Sequence, residues 1–135
     1  MKLTKRSDWQ AQLCRYLSDV ACKPFRPGTH DCARFAAGAV EVQTGVDLAR
    51  GWQAYRTLEQ GQEMLRAHGY SGHIDLVAGL LPEVPVLRAR VGDIAVLDGD
   101  LGASLGVVQG AGVFALTPAG IGMVPLSDAK RMFRV

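Results

Sequence analysis

Apolar residues recur at three- and four-residue steps from the start of the chain. Trp9, Leu13, Tyr16 and Val20 fall on one face of a helix expected over Ser7–Ala21. Ser7 is placed to cap it. Lys23-Pro24-Phe25-Arg26-Pro27-Gly28 stops it, because proline cannot continue the hydrogen-bond ladder and glycine frees the turn. A second helix is expected over Cys32–Thr44, with Asp31 as its N-cap and Thr44-Gly45 at its end. Its apolar face is Cys32, Phe35, Ala36, Ala39 and Val40, with Val42 or Gln43 beside them. The alanines and Gly38 let other backbone approach closely, which marks this as the central buried helix.

Asp47–Thr57 reads as a connecting arm carrying Trp52 and Tyr55, followed by a helix near Leu58–His68 that stops at Gly69. Ile74–Leu81 is a short helix closed by Pro82. From Val91 the period changes. Asp93–Leu97 reads as a short buried strand, Asp98-Gly99-Asp100 as a turn, Ala103–Gln109 as a second strand and Gly110-Ala111-Gly112 as a hairpin turn. Val113–Leu116, Gly120–Pro125 and Arg131–Val135 supply three more. Helices first and an antiparallel sheet afterwards is an α+β arrangement, here as a single domain over residues 1–135.

Composition agrees with a folded chain. At 135 residues there is room for one ordinary domain, and 48% apolar against 21% charged residues is the balance of a globular protein. The net charge of +2 comes from scattered residues, with Lys2, Lys5 and Arg6 the one tight basic cluster. The basic stripe with interleaved aromatics of a nucleic-acid binder is missing, so no nucleic-acid partner is expected. Gly99–Gly106 lacks a Walker lysine, which disfavours phosphate binding. Ile74–Pro82 is far below membrane-spanning length and contains Asp75, and no apolar segment of signal length follows Met1.

Three cysteines, Cys14, Cys22 and Cys32, form no metal-type spacing. No metal and no cofactor are expected. Cys14 and Cys22 read as small core residues on or just after the first helix. Cys32 stands at a helix N-terminus, where the dipole and unpaired N–H groups lower a thiol pKa and favour the nucleophilic thiolate. A strand-borne histidine would then act as base, with a third polar group to orient it. The local sequence by itself favours a small residue packed at a helix start under the sheet. Asp93 after Gly92 reads as a turn cap, Asp47 as a brace for the arm, and Arg15, Arg34, Arg56 and Arg66 as solvated helix faces.

Gly28-Thr29-His30-Asp31-Cys32-Ala33-Arg34-Phe35 resembles the signature of the NlpC/P60 cysteine peptidases, in which an Asp-Cys pair opens the central helix. Arg90-Val91-Gly92-Asp93-Ile94-Ala95-Val96-Leu97 is similar to that family's "GD" strand. Ser104-Leu105-Gly106-Val107-Val108 falls where those peptidases carry a strand with the base histidine. Over nearly its full length the chain also resembles tail-associated proteins of bacteriophages and gene transfer agents. The shared pieces are Trp9, Pro24 to Cys32, Thr44 to Asp47, Trp52 to Tyr55 and Leu105 to Gly110.

The resemblance implies a papain-like α+β domain in which the Cys-bearing central helix packs on the C-terminal antiparallel sheet. It places Cys32 in the nucleophile position, with Asp31 as the cap of its helix. Ser104 stands at the position of the missing base, and no histidine follows His73. Serine has no useful proton affinity near neutral pH. Of the substitutes, His30 lies in the same turn as Cys32, His68 near a helix end and His73 in a loop after Gly72. The leading expectation is a structural or assembly component of a phage-type tail tip or baseplate, with a degenerate cysteine-peptidase fold. It would be made in the bacterial host cytoplasm, carried in the virion tail, and partnered by other tail proteins. The alternative is an active cysteine hydrolase that cleaves peptidoglycan peptides during cell-wall penetration. A host cytoplasmic binding domain is the third reading.

Overall fold

A computed structural model of the chain describes residues 3–52, 55–99 and 102–135. Four helices lead: α1 (Trp9–Val20), α2 (Cys32–Thr44), α3 (Leu58–Ala67) and α4 (His73–Leu80). Six strands follow: β1 (Glu83–Val84), β2 (Ile94–Gly99), β3 (Gly102–Gln109), β4 (Gly112–Thr117), β5 (Gly120–Pro125) and β6 (Arg131–Phe133). They form one sheet in the order β1-β6-β2-β3-β4-β5, with every neighbouring pair antiparallel. The α+β arrangement expected from the pattern is present.

The sheet is covered on both faces, which explains why β2 reads as an unbroken apolar run instead of an alternating one. Side chains still alternate. Ile94 and Val96 of β2, Leu105 and Val107 of β3 and Phe133 of β6 face the helices and join Leu13, Leu17, Val20, Phe35, Ala36, Ala39 and Val40 in the main core. Ala95, Leu97, Val108, Val113 and Met132 point to the opposite face, where Val86, Leu126 and Ala129 from the connections cover them.

α2 has the boundaries its sequence predicts. Asp31 caps the first turn by accepting from the Arg34 N–H, and Gly45 ends the helix in the left-handed conformation. What Gly38 admits is a side chain and not a backbone. A Cβ there would fall 2.3 Å from the Tyr16 hydroxyl oxygen. With that space open, Tyr16 lays its ring on Phe35 and donates to the Phe35 carbonyl at 2.8 Å, locking α1 to α2. At the other end of α2, the buried Gln43 amide donates to the carbonyls of Gly92 and Ala39, both at 3.0 Å.

Several expectations need correction. α1 begins after Asp8, not Ser7, and Asp8 makes no capping bond; its carboxylate takes the Gln12 side-chain amide at 3.0 Å instead. Cys14 and Cys22 are exposed. The stripe Leu13, Leu17, Val20 turns Cys14 outward, and Cys22 lies in the turn beyond the helix. Pairing begins earlier than the pattern suggests, because Glu83 and Val84, bounded by Pro82 and Pro85, form β1 against β6. Of the predicted turn Asp98-Gly99-Asp100, Asp100 lies outside the described residues, as does Lys2 of the basic cluster.

Asp93, expected as a turn cap, fills that role and ties the C-terminus down as well. It is 0% exposed. Its carboxylate accepts from the Arg90 N–H at 2.9 Å, from Arg134 Nε at 3.0 Å and from the Val135 N–H at 3.2 Å. Replacing it by alanine removes the acceptor for all three donors. The Asp93→Ala protein is expected to lose about 3 kcal/mol of unfolding free energy in urea titration. A loss near zero would show that the ion pair does not hold β6 in place.

Candidate active-site cleft

β4 does not accompany β3 along its whole length. Their pairing ends at Gly106↔Ala115, while β4 continues with β5 to Thr117↔Gly120. β3 in turn stays paired with β2 as far as Gly99↔Gly102. One edge of residues 102–105 is therefore left without a strand neighbour. In an antiparallel ladder alternate residues direct both backbone groups to the same side. Val108 bonds across to the start of β2, through Asp93 and Gly92, so Ala103 and Leu105 face the vacated edge.

Two helix starts occupy that edge. Leu105 and Ser104 lie beside Cys32, the first residue of α2. His73, the first residue of α4, places Nε2 2.9 Å from the Ala103 carbonyl oxygen. From the sequence His73 reads as a loop residue following Gly72. Gly72 is the N-cap of α4 in extended backbone, so the histidine begins the helix. Only the register of β3 reveals that it reaches the strand.

Asp31 organises the other side of Cys32. It is 3% exposed. Its two oxygens accept from the Arg34 and Gly28 N–H groups, each at 2.9 Å, and the Tyr55 hydroxyl makes a further short bond to it. Arg26 and His30 exchange backbone bonds of 2.8 Å around this turn. Gly28 adopts a positive φ of 79°, and a Cβ there would lie 1.7 Å from the Tyr55 carbonyl oxygen. The glycine is thus needed twice, for the turn and for the arm to close over it. Asp47 braces the arm as expected, accepting from the Ala49 N–H at 2.9 Å. Arg34 is half-buried, contrary to the solvated reading, with its guanidinium 5.9 Å above the Tyr55 ring.

The electrostatics differ from the activated thiolate that the helix start suggests. Burial pushes the Cys32 thiol above its ordinary value, and the Asp31 charge pushes the same way. Hydrogen bonds from Leu105, Ser104 and Ala33 oppose the shift without reversing it. Burial likewise holds His73 below the usual histidine value, against the pull of the Ala103 carbonyl and of Asp31. The resting pair is neutral thiol and neutral imidazole. Since a carbonyl only accepts, Nε2 of His73 carries the ring proton and Nδ1 keeps a lone pair. Burial and the nearby Asp31 also raise the Tyr55 hydroxyl pKa, so it remains a donor.

Cys32, Ser104 and His73 line one cavity of about 500 Å³, with Trp52, Tyr55, Leu65 and Leu76 among its other walls. His30, the substitute named from sequence, does not line it. Its ring packs edge-on to Phe35 and is buried, with Nε2 unpartnered. His68 is exposed, bonds the Met64 carbonyl at 2.8 Å and lies against Trp52 with ring centroids 4.6 Å apart. Among the described residues no three His, Cys, Asp or Glu side chains are grouped to hold a metal ion. No helix of the described residues is long and apolar enough to cross a membrane.

Residues 4–135 match a family described as "Domain of unknown function (DUF6950)". No curated protein sequence matches the chain.

Two outcomes follow from the desolvation of the thiol and of the two imidazoles. Iodoacetamide at neutral pH is expected to modify the exposed Cys14 and Cys22 before Cys32, whose labelling should rise only above the ordinary thiol range of about 8.5. Peptide mass spectrometry would read this, and equal labelling of all three would overturn the assignment. His30 and His73 are both held below the ordinary value by burial, so the unfolded chain binds more protons than the folded one as pH falls. Their contribution to stability is complete above about pH 6.5 and is lost as pH drops through the lower folded values. Urea midpoints should fall on acidification, less steeply in a variant carrying His30→Gln and His73→Gln.

Proposed function

We propose that this chain, which belongs to the DUF6950 family, is a structural or assembly component of a phage-type tail tip or baseplate. In this reading it uses an NlpC/P60-like, papain-like fold whose inherited strand-borne base is gone. The observation that carries it is Ser104. At the β3 position where the resembled peptidases carry histidine, a serine stands beside Cys32 in the cleft, and the thiol is held in its neutral form. The α+β layout, with the Cys-bearing helix on an antiparallel sheet, supports the fold assignment. Outer surfaces suit assembly as well: β5 ends the sheet order and exposes Met123, and the chain also exposes Leu87. The partners would be neighbouring tail proteins.

The second reading, a cysteine hydrolase acting on peptidoglycan peptides, is favoured by one observation. The cleft holding Cys32 also holds an imidazole, supplied by α4 rather than by β3. Both roles fit one place in a virion, since opening the wall and building the tip are neighbouring tasks.

Complementation separates them. In the particle whose genome encodes this chain, deletion is expected to abolish tail assembly, as seen by electron microscopy, and Cys32→Ala to restore both tails and infectivity. Intact tails with lost infectivity in Cys32→Ala would overturn the purely structural role. So would release of peptides from isolated peptidoglycan that disappears with Cys32→Ala.

A further inference from the structure

The vacated edge of β3 holds two reactive side chains in register. Ala103 and Leu105 point the same way and are two residues apart, about 7 Å along the strand. His73 is hydrogen-bonded to the first, and Cys32 lies beside the second. Both side chains line one cleft. Ala103 uses up the Nε2 proton of His73, and among the described residues nothing bonds Nδ1. An oriented imidazole with a bare nitrogen, next to a thiol in a walled cavity, is the arrangement nucleophilic catalysis requires. The Ala103 carbonyl takes the orienting role that a third side chain plays elsewhere.

We infer that His73 of α4 is the proton acceptor for Cys32, so that the cleft carries out acyl transfer with its base on a helix and not on the sheet. This inference rests on the hydrolase reading and leaves the placement in a tail untouched. Nδ1 takes the proton from Sγ as the sulfur attacks the acyl carbon. The S–C bond forms, the bond from that carbon to its leaving oxygen or nitrogen breaks, and His73 returns the proton to the leaving group. Water, deprotonated by the same nitrogen, then releases the acid and restores the thiol. No oxidant or cofactor enters the balance. The neutral resting pair fits this order, with proton transfer accompanying attack instead of preceding it. Leu48, Trp52, Leu76 and Val77 make part of the wall apolar, which suits a probe ester with a short alkyl acyl chain.

The test uses the full chain carrying Cys14→Ser and Cys22→Ser, so that Cys32 is its remaining thiol, with 4-nitrophenyl butyrate as probe. The expected result is a butyryl adduct on Cys32 by intact mass and release of 4-nitrophenol. His73→Gln should slow that acylation by about 100-fold. Its melting temperature should stay close to the parent's, because the glutamine amide still donates to the Ala103 carbonyl. His68→Gln should leave the rate unchanged, and imidazole added to His73→Gly should restore part of it. Acylation of Cys32 that is indifferent to His73→Gln would overturn the base assignment while the hydrolase reading stood. No acylation of Cys32 in the parent would overturn both.

Discussion

The Asp31 carboxylate is the constraint on which the rest of this structure depends. It is buried, and a buried carboxylate survives only when its oxygens are saturated with donors. The donors it has come from three directions: the Gly28 turn, the first turn of α2 and the arm through Tyr55. One side chain thus sets where the central helix begins, how the preceding hairpin closes and where the arm lies. Each donor orphaned by its loss would cost about 1–3 kcal/mol, and the three segments would lose their common reference together.

That reference matters because the sheet leaves a gap for it. A six-stranded antiparallel sheet with both faces covered would normally satisfy all its inner backbone groups within the ladder. Here β4 turns from β3 towards β5 and strands the backbone of residues 102–105 on one side. The starts of α2 and α4 fill the gap, one with a sulfur and one with an imidazole. The cleft arises from the same divergence. It is an opening between two helix starts and a strand edge, walled by the arm that Asp31 holds.

Two physical effects compete at Cys32, and their balance defines its chemistry. A helix start favours the thiolate through its free N–H groups, whereas burial in an apolar cleft opposes any charge. Burial wins, aided by the neighbouring carboxylate. A thiol held neutral suits a packing role without further assumption. It becomes a nucleophile only beside a base that removes its proton during attack, so the chemistry of the cleft turns on what His73 does. Fold alone settles neither role.

The sequence by itself determined the element order and most boundaries. Helix period, proline and glycine punctuation and the shift to strand pattern are local signals, and α2 and β5 fall on the residues they predict. The Asp31 cap was legible for the same reason, since a cap is read by its own first turn. The buried face of α1 was legible too, since Leu13 and Val20 lie on the predicted stripe, whereas Cys14, one position off it, stays outside. β1 was hidden because two residues carry no period of their own and pair only when β6 returns beside them. His30 looked close to Cys32 in sequence but packs on Phe35, whereas His73, forty-one residues from Cys32 by numbering, lines its cleft. Spacing along a chain fixes neighbours within one element. Neighbours across elements are fixed by strand register, and here by the residue at which β4 leaves β3.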